Sequence, residues 1–247
     1  MSYESVTRTL SDAIGTQIQH VRWIADRGER PGLRGWFHLG AAQAAIIAST
    51  VLITYSWMTL LWYQALGATI YGVGLVALFG VSGVYHRWPW RTAAGVEAWR
   101  RADHSMIGVF IAATYTPLCL VVLSPRSAAI MLGVAWVGAI ANLVLNLVWV
   151  SRPRWLAPVI YVALGWIILP LIPRLWGTVN HAVVWLLFAG GALYTLGALL
   201  YGLKWPGRNA KLYGYHEHFH TLTIIAAVLH LIAVWFLVVE AGSAYCA

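Results

Sequence analysis

Seven stretches of apolar sequence, near 35–56, 58–85, 105–124, 128–149, 156–174, 180–203 and 217–239, take up most of this 247-residue chain. A helix needs about 20 apolar residues to cross the hydrocarbon of a bilayer. Each run is of that order, so the chain is expected to be an all-α membrane protein, a bundle of seven transmembrane helices. Composition agrees: 60% of residues are hydrophobic and 10% charged, with a mean hydropathy of +0.71, whereas roughly a quarter of a soluble domain is charged. The spans leave no room for a second domain.

Basic residues orient the bundle. Arg8, Arg22, Arg27, Arg30 and Arg34 precede the first span, Arg87, Arg91, Arg100 and Arg101 follow the second, Arg152 and Arg154 follow the fourth, and Lys204, Arg208 and Lys211 follow the sixth. That places 14 cations on one side, against Arg126 and Arg174 on the other. The excess marks the cytoplasmic face, so the N-terminus is expected inside and the C-terminus outside, in the plasma membrane. Residues 1–34 lack the apolar core of a signal peptide and read as a cytoplasmic amphipathic segment; 35–240 form the bundle and 241–247 a short outer tail. The net charge of +8 is spread over loops beside apolar spans, which suits anionic lipid headgroups and not nucleic acid.

Several residues punctuate the spans. Most of the 15 tryptophans fall at span ends, where an indole anchors among headgroups. Pro117 is expected to kink the third span, and the glycines near 72–80 and 189–197 to let helices approach closely. Cys119 and Cys246 cannot make a disulfide framework. No internal repeat is visible, which argues against an inverted-repeat transporter.

Polar residues gather at the cytoplasmic boundary. In HEHFH, at the start of the seventh span, His216 and His220 are spaced i, i+4 and share a helix face, a spacing that suits two ligands of one zinc ion. In SGVYH, at the end of the second span, Ser82 and His86 share a face at the same depth. Three imidazoles leave a fourth tetrahedral position for water, the pattern of a catalytic zinc. Ser82 could orient His86, bind a substrate, or bond back to its own helix. In RADHSMIG, Asp103 is the last acidic residue before the third span; it could cap that helix as its N-cap, accept a proton from zinc-bound water, or do both. His218 faces elsewhere, His104 reads as a headgroup or loop contact, His38 as interfacial or supporting the centre, and His230 as buried against a hydroxyl. Ionisable groups at membrane depth are expensive, and a cluster of them reads as functional.

SGVYH before a basic loop, RADHSMIG after it and HEHFH in the last span together resemble the hemolysin III family, part of the progestin and adipoQ receptor group and more distantly similar to alkaline ceramidases. The resemblance covers about residues 31–240, from PGLRGWFH onwards. It implies a seven-helix bundle with zinc near the cytoplasmic face, His86, His216 and His220 as ligands, Asp103 as the acidic residue that holds or activates water, and Ser82 as the serine of the second-helix motif. It also implies two competing activities, since receptor members are associated with ceramide hydrolysis and bacterial members were named for cytolysis.

The leading expectation is a zinc-dependent hydrolase of a lipid amide or ester, with Asp103 as base and Ser82 near the oxyanion. The alternatives are a non-enzymatic receptor in which zinc staples helices together, and a pore-forming cytolysin. A pore would need polar residues across the full membrane, and here they crowd one side. A retinal protein is excluded, because Lys204 and Lys211 are the only lysines and neither lies in a span.

Overall fold

The computed structural model describes residues 32–148, 156–207 and 211–246. The amphipathic reading of the N-terminal segment therefore falls almost wholly outside the described residues. Seven helical spans are present, and no strand occurs among the described residues. They are α1 (Trp36–Thr59), α2 (Trp62–Arg87), α3 (Ala93–Val122), α4 (Pro125–Val148), a broken fifth span of α5 (Leu156–Gly165), a 3-10 turn (Leu169–Leu171) and α6 (Ile172–Thr178), then α7 (His181–Leu203) and α8 (Tyr215–Cys246). The protein is a multi-pass integral membrane protein.

Consecutive helices pack side by side, and α1 also packs against α8, closing the ring. The third span is the most buried, because α3 touches α2, α4, α5 and α8. Small residues permit these approaches. A Cβ at Gly74 would lie 2.9 Å from Ala113, and one at Gly83 would lie 2.7 Å from Leu39. The core around Leu52, Tyr71, Phe79, Phe110 and Val234 fills the space between α1, α2, α3 and α8. Ile47, Met58, Val137 and Leu203 point outward and are exposed, as expected where hydrocarbon is the solvent.

Three features differ from the sequence expectation. Helix α3 begins at Ala93, far before 105, because Thr92 caps it by accepting a hydrogen bond from Gly95 N at 3.2 Å. Glu97 pairs with Arg100 at 2.6 Å and Arg101 at 3.0 Å, one turn on, so charges that read as loop belong to a helical extension. Its 30 residues span about 45 Å, longer than the ~30 Å of hydrocarbon. Asp103 therefore lies well inside a helix and is not its N-cap.

The fifth span is not one helix. Pro170 and Pro173 cannot donate backbone hydrogen bonds, and the helix breaks after Gly165. The carbonyls this frees are met from α3: Tyr115 Oη lies 2.6 Å from Gly165 O and 3.1 Å from Leu164 O. Last, α8 runs as helix past 239, where the seventh span was expected to end, to Cys246; Gly242 lies close to Thr59, where a Cβ would come within 3.1 Å.

Candidate metal centre

His86 occupies the last turn of α2 and His216 and His220 the first turns of α8. The one-turn spacing on α8 aims both imidazoles at α2, and the three rings meet there. The Nε2 atoms of His86 and His216 are 3.2 Å apart, and one ring nitrogen from each of the three residues lies within 4.8 Å of the others. Ring centroids are 4.4 Å apart for His216 and His220 and 5.0 Å for His86 and His220. His86 and His220 are buried, and His216 is half-buried.

This arrangement fits a metal ion. Metal–nitrogen bonds of 2.0–2.1 Å in a tetrahedral site put neighbouring nitrogens about 3.3 Å apart, close to the His86 to His216 separation. Converging imidazole nitrogens are also the donor set that borderline ions such as zinc prefer.

Ser82 sits one turn before His86 on α2 and is buried. Its hydroxyl faces the carboxylate of Asp103, on α3, which is 15% exposed and 4.0 Å from His104 Nδ1. Asp103 is outside the three-histidine group, a neighbour of the centre and not a fourth ligand in this geometry. His104 and His218 turn away: their Nδ1 atoms lie 2.7 Å from Arg100 O and 2.8 Å from Gly214 O. His230 lies further along α8 and meets a backbone carbonyl in place of the expected hydroxyl, with Nε2 3.3 Å from Leu187 O; Tyr194 touches it only ring to ring, at 5.5 Å between centroids.

His38 supports the centre. Its ring stacks on His220 at 3.8 Å and 12° and meets Phe79 edge-on, fixing the plane of one candidate ligand. Sequence reasoning left His38 open between this and an interfacial role.

The strap before α1 is held against the same place. Arg34 Nε donates to Glu217 Oε1 at 2.7 Å, and Glu217 Oε2 accepts from Gly214 N at 2.8 Å. Glu217, which stands between His216 and His218 in sequence, is thus a buried anchor. Gly35 adopts φ +82°, and a Cβ there would lie 2.6 Å from His86 Cβ. Only glycine allows the strap to lie so close. The faint signals were the glycines near Arg34 in PGLRGWFH and a lone acidic residue among the histidines of HEHFH.

An apolar cavity, partly open to its surroundings, starts one turn beyond these polar residues. Leu78 follows Ser82 down α2, Ile107 follows Asp103 down α3, and Thr223 follows His220 down α8; all three line the cavity. Its wall continues past Phe110 and Trp166 to Ile172 and His230, and is overwhelmingly apolar.

Known proteins resemble this chain in sequence. A protein of Bacillus subtilis (strain 168) described as "Hemolysin-3 homolog" is 31% identical over 133 residues, 54% of this chain and 62% of that protein, so the match spans a little under two thirds of that relative. "Hemolysin-3" of Bacillus cereus is 28% identical over 175 residues, 71% of this chain and 76% of that protein. Residues 28–231 match the family described as "Haemolysin-III related", a stretch that takes in the histidine centre, Ser82, Asp103 and most of the seven spans, and the chain therefore belongs to that family.

Proposed function

We propose that this protein is a zinc-dependent hydrolase of a lipid amide or ester, working at the cytoplasmic boundary of the membrane. The observation that carries the proposal is the convergence of three imidazoles within about one helical turn of an apolar cavity. A carbonyl at headgroup depth would lie by the histidines while its hydrocarbon chain fills the cavity. The basic residues Arg34, Arg87, Arg100, Arg101 and Lys211 at that end support a cytoplasmic location and contact with anionic headgroups.

His86, His216 and His220 hold the ion. When bound in such a site, zinc supplies a Lewis acid for a carbonyl and a means of generating a nucleophile from water near neutral pH. Asp103 is the proton carrier: its carboxylate takes a proton from the attacking water and returns it to the leaving group. Ser82 donates its one proton to that carboxylate while it is ionised, and once Asp103 carries the proton the same hydroxyl is free to donate to a developing oxyanion. His38 keeps His220 in plane, and the apolar wall excludes bulk water.

Metal analysis of detergent-purified protein, beside lipid amide and ester hydrolysis, tests the proposal. Stoichiometric zinc lost in a His216→Ala, His220→Ala variant, with turnover that Asp103→Asn lowers by about a hundredfold or more, is the expected result. Stoichiometric zinc with no turnover favours a second reading, a non-enzymatic protein stapled by its metal. That reading draws on the slight contact between α2 and α8, which a shared ion would tie together.

A further inference from the structure

The cavity wall is not uniformly apolar, and its polar atoms are unusual. Tyr194 Oη, Thr223 Oγ1 and His230 Nδ1 are buried without a hydrogen-bond partner, and all three residues line the cavity. Most buried polar groups find partners, and in a bilayer the cost of failing is not relieved by solvent. Thr223 is exceptional among its kind: Thr50, Thr69, Thr114, Thr116 and Thr195 each donate to the carbonyl one turn earlier. Thr223, 5% exposed, lacks this bond and faces the cavity.

His230 is fixed in place. Its ring fills the space left by Gly190, where a Cβ would collide with it. The carbonyl of Leu187 can only accept, so Nε2 carries the proton in the 3.3 Å contact, leaving Nδ1 as a bare acceptor. Tyr194 packs edge-on against this ring at 5.5 Å. The group lies deep, since the ten residues from His220 to His230 cover ~15 Å of helix.

We propose that Tyr194, Thr223 and His230 form a hydroxyl-recognising subsite, so that the cavity takes a lipid chain bearing a hydroxyl group near its middle in preference to a plain hydrocarbon chain. Nδ1 of His230 needs a donor, while the two hydroxyls can donate or accept. One alcohol beside His230 does both, giving its proton to Nδ1 and accepting from Tyr194, whose ring packs against it; Thr223, about two turns nearer the three histidines, adds a polar contact on the same wall. A carbonyl would leave Nδ1 unmet. A charged group would find no counter-charge, because no Asp, Glu, Lys or Arg lines the cavity. The inference rests on the reading of the cavity as a lipid-chain site, and requires neither metal nor turnover.

The test is equilibrium binding of three fatty acids to the full-length purified protein: stearic acid, a hydroxystearic acid with its hydroxyl near mid-chain, and one with its hydroxyl beside the carboxylate. The two buried hydrogen bonds, less the cost of taking the alcohol out of water, predict about five- to tenfold tighter binding of the mid-chain alcohol than of the other two. Tyr194→Phe and Thr223→Val should each reduce that preference while leaving stearic acid affinity unchanged, which shows that the cavity is intact. The same preference in the His216→Ala, His220→Ala variant supports a subsite independent of the metal centre, even if hydrolysis is never found. Equal affinity for all three chains in the wild-type protein, absence of binding by any, or an undiminished preference in both single variants would overturn the proposal.

Discussion

Arg34 and Glu217, separated by 183 positions in sequence, meet at 2.7 Å where the strap before α1 crosses the start of α8. The pair is asymmetric: the Glu217 side chain is 2% exposed and that of Arg34 is 18%. Removing a partner from a buried pair is damaging chiefly because of the charge left behind. Arg34→Ala strands a buried carboxylate and is expected to cost about 3 kcal/mol. Glu217→Gln keeps an oxygen to accept from Gly214 and leaves a guanidinium that can reach water, so it should be milder. Thermal unfolding of both variants in one detergent checks the order: equal losses would refute the asymmetry, and no loss in either would mean that the strap is not held by this pair.

Gly35 makes a sharper case because its neighbour is a candidate metal ligand. Gly35→Ala meets both a positive φ, which costs an L-residue about 1–2 kcal/mol, and a Cβ only 2.6 Å from that of His86. Gly40, five residues on, has nothing within 4 Å of the same atom, and Gly40→Ala should be neutral or slightly stabilising in the helix. Zinc affinity by competition with a chelator is expected to fall in Gly35→Ala and hold in Gly40→Ala. Unchanged affinity in both would show that the strap does not set the position of His86.

These two anchors also mark what the sequence could not reveal. The seven spans were readable because a bilayer imposes length and apolarity on each one. The histidine trio was readable because i, i+4 spacing fixes a shared face before any tertiary contact is known. By contrast, the start of α3 was hidden because Glu97, Arg100 and Arg101 look like loop residues until their mutual pairing along a helix is seen. The stacking of His38 on His220 and the pairing of Arg34 with Glu217 are tertiary, with no periodicity to announce them. Pro170 and Pro173 did stand in the sequence, yet unbroken hydropathy concealed the break they cause.

That break depends on a hydroxyl from another helix. Tyr115→Phe removes the donor that meets the carbonyl of Gly165 at 2.6 Å, leaving a polar group unsatisfied beside α5. The expected loss is about 1–3 kcal/mol, seen as a lower unfolding midpoint, with zinc content unchanged because Tyr115 is remote from the histidines. A midpoint equal to wild type would mean that water or a shift of the 3-10 turn takes over the bond.

The histidines themselves give the most discriminating series, because neighbours of the same chemical type serve as controls. His86→Ala, His216→Ala and His220→Ala each remove one of three converging nitrogens and should abolish stoichiometric zinc. His218→Ala, on the same turn of α8 but bonded to the carbonyl of Gly214, should retain it. His38→Phe keeps a ring to stack on His220 and should bind zinc nearly as well as wild type, whereas His38→Ala frees the His220 ring and should weaken binding by about 10- to 100-fold, the usual consequence of losing a ligand's support. Acidification should weaken zinc binding in every variant that retains it, since protons compete for the same imidazole nitrogens. If His38→Phe lost zinc as completely as His220→Ala, His38 would have to be a ligand through its own nitrogen. The centre would then be closed by four imidazoles, and the staple would replace hydrolysis as its function.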